Sequence, residues 1–276
     1  MMMSKRYLFA LALMIFSVAA IDAATIHLIM VYETEDQNIG ATADATLMKA
    51  QVNNIAQITN MEVRVHEFDR RDSRVAGFLT SFRAGQDDVV WFHYSGHGAN
   101  SGDGWPQYTD GSARYPQTEI HELLMNCGAR LNITMYDACN IGATEEAWSR
   151  TSSMPGNQLT MLFKKASGDI LISSASDAEY SWGSPQTGGF ATTSLTRAIN
   201  QVEFTPQDTP RTLWTKVLNS MKRETNTMCQ SIRKRPQNPK WDMNLSRDPE
   251  NDTGSTVHNT PERSIDMRKM GSAFGN

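Results

Sequence analysis

From Thr25 the segment "TIHLIMVY" is apolar at nearly every position, the pattern of a strand covered on both faces. Ala45, Met48, Val52, Ile55 and Ile58 then recur at three- and four-residue steps and predict a helix. "MEVRVHEF" sets Met61, Val63, Val65 and Glu67 against Glu62, Arg64, His66 and Phe68, a second strand with an uneven inner face. Val75, Phe78, Leu79 and Phe82 mark a second helix, with Asp72 or Ser73 as its cap. "DVVWFHYS" predicts a third strand, followed by a polar loop to about Gln117, a helix in "TEIHELLMNC" and a fourth strand in "LNITMYDAC". "DILISSAS" supplies a fifth strand and "FATTSLTRAI" a helix. Pro210 stands in the first turn of another helix, whose inner side is Leu213, Trp214, Val217, Leu218 and Met221. Strand and helix alternate without an internal repeat, so the expected class is α/β, a mostly parallel sheet with helices on both faces. From Ser246 to Asn276 the chain turns polar, and a mobile tail is expected there.

Composition narrows this picture. With 276 residues, 39% hydrophobic and 20% charged, the chain is large enough for one sizeable core or two small ones. Lys5 and Arg6 precede "YLFALALMIFSVAA", an apolar run that ends in small residues. That is the pattern of a secretory signal peptide over residues 1–23, cleaved after Ala20 or Ala23, and it predicts export, secreted or periplasmic. No later segment predicts a membrane span in the mature chain. The net charge of −4 moves to −5 when Lys5, Arg6 and Asp22 are removed, which argues against a nucleic-acid partner. The three cysteines, Cys127, Cys139 and Cys229, match no zinc spacing and cannot all pair within one chain. Cys127 and Cys229 stand as a candidate disulfide on export, and no metal ligands are assigned.

The chemistry concentrates at two strand ends. In parallel α/β sheets ligands sit beyond the carboxyl ends of the strands. His97, in "FHYSGHGANSGDGW", follows the third strand, and Cys139 ends the fourth. A free thiol titrates near ~8.5, and a neighbouring imidazole that takes its proton makes it a nucleophile. Attack on a carbonyl also needs donors for the developing oxyanion; the amides of Gly98 and of Cys139 itself are the candidates. His93, His27, His66 and His121 show no partner pattern, and Trp91 and Phe92 fit a core.

Taken together, Ser95-Gly96-His97-Gly98 and Asp137-Ala138-Cys139, in this order, resemble the caspase-like (clan CD) cysteine peptidases, and within them the metacaspase type. The resemblance covers about Thr25 to Leu245 and implies a three-layer caspase-like sandwich as the domain from residue 24 to 245. It implies His97 as general base and acid, Cys139 as nucleophile and Gly98 as oxyanion donor. Where metacaspases often carry His-Ser-Gly after the cysteine, this chain has Asn140-Ile141-Gly142.

A second resemblance lies in "EYSWGSPQTGGF", similar to the caspase segment beneath the substrate. Trp182 matches the tryptophan that packs against the residue before the cleaved one, and Gly183 stands where caspases bind aspartate with arginine. Asp137 replaces the caspase glutamine, and Asn38 falls near a further specificity arginine. These changes disfavour a carboxylate. By resemblance to the metacaspase pocket, Asp137, with Ser95 and Asp44, would receive substrate Arg or Lys; Asp44 fits a helix N-cap before "ATLMKA" equally well.

The expected function is a secreted cysteine endopeptidase acting on a peptide or protein substrate with a basic residue at the cleaved position. The alternatives are a catalytically silent caspase-fold binding protein and a legumain-like hydrolase or transpeptidase. No cofactor is implied. Calcium dependence stays open, since Asp103 and Asp110 do not make a dedicated calcium loop. Arg150, Lys164 and Lys165 are candidate self-cleavage positions. The oligomeric state is open.

Overall fold

The computed structural model describes residues 23–139, 156–232 and 234–246. The expected leader up to residue 22, the loop at Asn140-Ile141-Gly142, Arg150 and the tail beyond Ser246 lie outside the described residues.

In chain order the elements are β1 (Thr25–Tyr32), α1 (Ala41–Thr59), β2 (Glu62–Asp69), α2 (Arg74–Ser81), β3 (Val89–Ser95), β4 (Ala99–Asn100), β5 (Pro106–Thr109) and β6 (Arg114–Pro116). They continue with α3 (Gln117–Met125), β7 (Leu131–Asp137), β8 (Gly168–Ser173), β9 (Gly183–Ser184), β10 (Gly188–Gly189), α4 (Phe190–Gln201), α5 (Pro210–Ser231) and β11 (Lys240–Leu245). The main sheet has the order β11-β8-β7-β3-β1-β2, parallel throughout except for antiparallel β11. The predicted α/β class and caspase-like layering are therefore present.

Each central strand is buried on both sides because alternate residues enter two different cores. Ile26, Leu28, Met30, Val89, Trp91, Ile133 and Met135 pack on one face with residues of α1, α4 and α5. Ile29, Val31, Val90, Phe92, Tyr94 and Tyr136 pack on the other with α2 and α3. This is why "TIHLIMVY" and "DVVWFHYS" carry no simple alternation. At the far edge β2 has one covered neighbour, and Val65 is 39% exposed.

Several boundaries differ from the expectation. Ser73 precedes α2 without a side-chain cap; Asp72 does the accepting, from the Arg74 amide at 3.0 Å. Ile58 falls off the buried stripe of α1 and is exposed. The stretch expected as a polar loop to Gln117 contains a three-stranded sheet, β4-β5-β6, anchored by Tyr108 and Tyr115, which stack at 4.5 Å. Residues 157–165, expected only as a connection, are helical, with Leu159, Leu162 and Phe163 buried. Thr209 and Thr212 close a reciprocal capping box around Pro210 and start α5.

The candidate disulfide is not formed. Cys127, Cys139 and Cys229 are all free. Cys127 lies under the α2–α3 face beside Asn132, whereas Cys229 joins Trp182 and Phe190 in a separate cluster. No helix among the described residues is long and apolar enough to cross a membrane.

Candidate active site

After β1 the chain goes outward to β2 and returns on the other side of β1 as β3, so the sheet order reverses between β1 and β3. Such a reversal opens a crevice at the carboxyl ends of the two strands. The loop after β1 brings Asp36 and Ile39 to this rim, the loop after β3 brings Gly96 and His97, and the end of β7 brings Asp137 and Cys139. A cavity of about 290 Å³ opens there, lined among others by Asp44, Ser95, His97, Asp137, Cys139 and Trp182. The sequence-predicted residues thus meet in one place, with Gly98 immediately behind them.

Both reactive loops are fastened to the sheet. The Tyr94 hydroxyl donates to the His97 carbonyl at 2.6 Å, and the Gly96 amide donates to the Asp137 carbonyl at 3.2 Å. Ser174 Oγ accepts from the Ala138 amide and donates to the Ala138 carbonyl, each at 3.1 Å. Gly98 is required by close approach: a Cβ there would stand 2.7 Å from the Ala138 Cβ and 2.9 Å from the Cys139 carbonyl oxygen. The glycine lets the histidine loop lie directly on the cysteine loop.

The thiol and the imidazole flank the cavity, and no hydrogen bond joins them. Cys139 Sγ donates to the Ser181 carbonyl at 3.5 Å. Burial pushes this thiol up, the Asp137 carboxylate adds to the effect, and the contact with Ser181 partly offsets it. The thiol is therefore held toward its protonated form, and use as a nucleophile would require a base. His97 keeps an exposed edge, and its Nε2 meets Asp36 Oδ2 at 3.0 Å. An Nε2–H donated to this carboxylate leaves Nδ1 as the ring's basic nitrogen. Asp36 was not singled out in the sequence; its signal is an acid a few residues beyond β1, at the rim where ligands bind.

The pocket floor holds two acids. Asp137 Oδ1 accepts from the Ser181 hydroxyl at 2.6 Å, and Oδ2 accepts from the Thr192 amide at 2.9 Å and hydroxyl at 2.6 Å. Asp44 Oδ2 accepts from the Ser95 hydroxyl at 2.6 Å, and Oδ1 from the Gly189 amide at 2.8 Å. The register of β3 on β7 places Ser95 beside Asp137. Asp44 is fully buried inside the first turn of α1, with Gly40 at the cap position, so its reading as an N-cap is overturned. Burial, and then the neighbouring Asp137, push the Asp44 carboxyl well above the usual carboxylate range. Neither acid has a cationic partner among the described residues.

The hairpin β9–β10 closes over both carboxylates. A Cβ on Gly188 would lie 1.9 Å from Asp44 Oδ1, and one on Gly189 would lie 2.0 Å from Asp137 Oδ2. The two glycines of "TGGF" therefore belong to the site, and their role is to let the backbone lie against the acids. Trp182 lines the cavity but is held from behind: its amide donates to Gln237 Oε1 at 2.9 Å and its Nε1 to the Arg235 carbonyl at 3.1 Å. Tyr180 stacks on it at 5.2 Å. Asn38 is exposed and does not line the cavity; Ile39 does. Asp103 and Asp110 brace turns, accepting from Trp105 and Thr118 and from Ser112, Ala113 and Tyr115 respectively. Among the described residues no cluster of three acidic, histidine or cysteine side chains is placed to hold a metal.

A histidine and a cysteine thus face one cavity at the carboxyl edge of a mostly parallel sheet covered by helices on both faces. Residues 25–249 match the family model of the caspase domain, and the chain belongs to that family, peptidase family C14. Among solved structures it is similar to caspase-1 from Spodoptera frugiperda, with a TM-score of 0.53 and 14% identity over 80% of this chain and 86% of that one. No curated protein matches the chain.

Proposed function

We propose that this chain is an exported cysteine endopeptidase that cleaves after arginine or lysine through the pair His97 and Cys139. Its preference rests on two buried acids, the Asp137 carboxylate and Asp44, the latter pushed toward its neutral form, which line the cavity without a cationic partner among the described residues. A buried charge without a partner is costly, and an entering guanidinium or ammonium supplies what the protein omits. The polarity is opposite to that needed for a substrate aspartate. The leader pattern of residues 1–23 supports export.

In the reaction His97 takes the Cys139 proton, and the thiolate sulfur attacks the carbonyl carbon of the basic residue. The S–C bond forms while the carbonyl oxygen becomes an oxyanion, for which Gly98 and Cys139 supply amides. The C–N bond then breaks as the imidazolium returns the proton to the leaving amine. Water, giving a proton to His97, attacks the thioester carbon; the C–O bond forms, the C–S bond breaks, the product leaves as a carboxylic acid, and the imidazolium proton restores the thiol. Catalytic contacts commonly tighten only when substrate is bound, consistent with the separate partners of imidazole and thiol at rest.

The test is covalent labelling with an arginine-derived electrophile, alongside fluorogenic peptides that differ only in Arg, Lys or Asp at the cleaved position. Labelling and turnover of the Arg and Lys peptides are expected, both lost in Cys139→Ala and both impaired in Asp137→Ala. Preferential turnover of the Asp peptide, or Cys139-independent labelling of folded protein, overturns this reading.

A further inference from the structure

A second cavity, of about 400 Å³, shares His97 with the first but has the opposite electrical character. Its wall includes Arg70, Gly98, Gln107, Tyr108, Thr109 and Arg114, on the side of β4-β5-β6. Cys139, Asp137 and Trp182 are not among its lining residues, whereas all three line the first cavity.

The chemistry of the dyad gives this position a meaning. The imidazole that protonates the leaving amine must face the half of the substrate that departs, so the chain after the cut runs over His97 and away from Cys139. His97 lines both cavities and Cys139 only the first, which sets the second cavity on that side of the imidazole. We infer that this cavity is a leaving-side subsite that receives an acidic side chain from the first or second residue after the cleaved bond. This inference rests on the peptidase reading and extends it to the other half of the substrate.

The charges decide the ligand class. Arg70 Nε lies 2.5 Å from Glu33 Oε2, so its charge is matched within the protein. Arg114 is exposed on β6, and its guanidinium has no ion pair or hydrogen bond among the described residues. Asp110, the nearby acid of the same hairpin, is occupied by the amides of Ser112 and Ala113 and by the Tyr115 hydroxyl. The Arg114 guanidinium therefore has no carboxylate bound to it among the described residues, and its donors are available to a ligand. Tyr108 is an independent sign of a ligand site: the residue is 1% exposed, it lines the cavity, and its buried hydroxyl has no hydrogen-bond partner among the described residues. A carboxylate entering here meets the Arg114 fork, with the Tyr108 hydroxyl as a further donor.

The deciding experiment digests a mixed peptide pool and identifies every product by mass spectrometry, which reads residues on both sides of the cut independently. Internally quenched peptides with Glu, Gln or Lys at the first two leaving-side positions then give kcat/KM. Wild-type protein should favour Glu over Lys by about five-fold, the scale of one partly exposed ion pair. Arg114→Glu should invert this ratio, Arg114→Lys should retain most of it, and raising the salt should shrink it. Equal use of Glu and Lys by the wild type, or one ratio shared by wild type and Arg114→Glu, overturns the subsite while leaving the peptidase reading intact. Absence of Cys139-dependent cleavage of the whole pool overturns both. Cuts after other residues that still show a leaving-side acidic preference overturn the basic specificity alone.

Discussion

The Asp36 carboxylate joins two structures at once: Oδ1 accepts from the Asn38 amide and Oδ2 meets His97 Nε2, each at 3.0 Å. The Asn38 contact, chiefly, and the His97 contact hold this carboxyl below its usual range. Asp36 is thus a positioning residue that fixes the orientation and proton placement of the imidazole. Asp36→Ala should lower kcat about ten- to a hundred-fold, a part of what acid–base catalysis contributes, with KM little changed. Asp36→Glu should recover some of that loss. Steady-state kinetics of the three proteins tests this, and equal kcat values refute it.

Gly188 and Gly189 are fixed by the acids beneath them. Gly189→Ala should keep the fold but displace Asp137, lowering kcat/KM for arginine peptides by at least ten-fold. Gly188 has φ of +77° as well as a contact of 1.9 Å to cross, so Gly188→Ala should also cost about 1–3 kcal/mol of stability. Chemical denaturation beside peptide turnover separates the two effects.

Gln237 is fully buried and ties the substrate segment to the sheet. Its Nε2 donates to the Ser174 carbonyl at 3.0 Å and to Ser181 Oγ at 2.9 Å, while Oε1 accepts from the Trp182 amide. Gln237→Leu leaves several of these groups unsatisfied and should cost about 2–3 kcal/mol. Hydrogen exchange at the Trp182 amide should rise more than at amides of β3.

Acid stability has a defined contributor away from the site. Lys216, foremost, and the donors of Thr205 bring the Asp208 carboxyl down to about 2. A depressed carboxyl contributes stability above its unfolded pKa of about 4 and loses it as pH falls through about 2. With Lys216 half-exposed, the contribution is about 1 kcal/mol. The stability gap between wild type and Asp208→Asn should be complete above about pH 4 and close toward pH 2.

The parallel core was legible because its strands are apolar on both faces and its helices carry stripes such as Leu213, Trp214, Val217, Leu218 and Met221, all buried. His97 and Cys139 were legible because both end such strands. The main missed elements are short or set by distant contacts. β11 is only partly covered, at the sheet edge, and β9–β10 consists of four residues shaped by Asp44 and Asp137 from elsewhere in the sequence. Asp44 was ambiguous because an acid in a first helical turn is a common device of helix electrostatics; only the packing of α1 against β10 turns it into a buried pocket wall. Cys127 and Cys229 illustrate the converse, since the expectation of export invites a pairing that separate packing clusters do not allow.

The fastening of residues 176–182 by 235–238 also has a consequence for biosynthesis. His97 and Cys139 are translated 140 and 98 residues before Gln237, yet Trp182, Ser176 and Glu179 are held by Gln237 and Asn238. A nascent chain that has emerged only as far as α5 possesses both reactive side chains but lacks the clamp on its substrate-facing segment. On the proposed peptidase reading, the site is therefore completed only when synthesis of the domain is nearly finished.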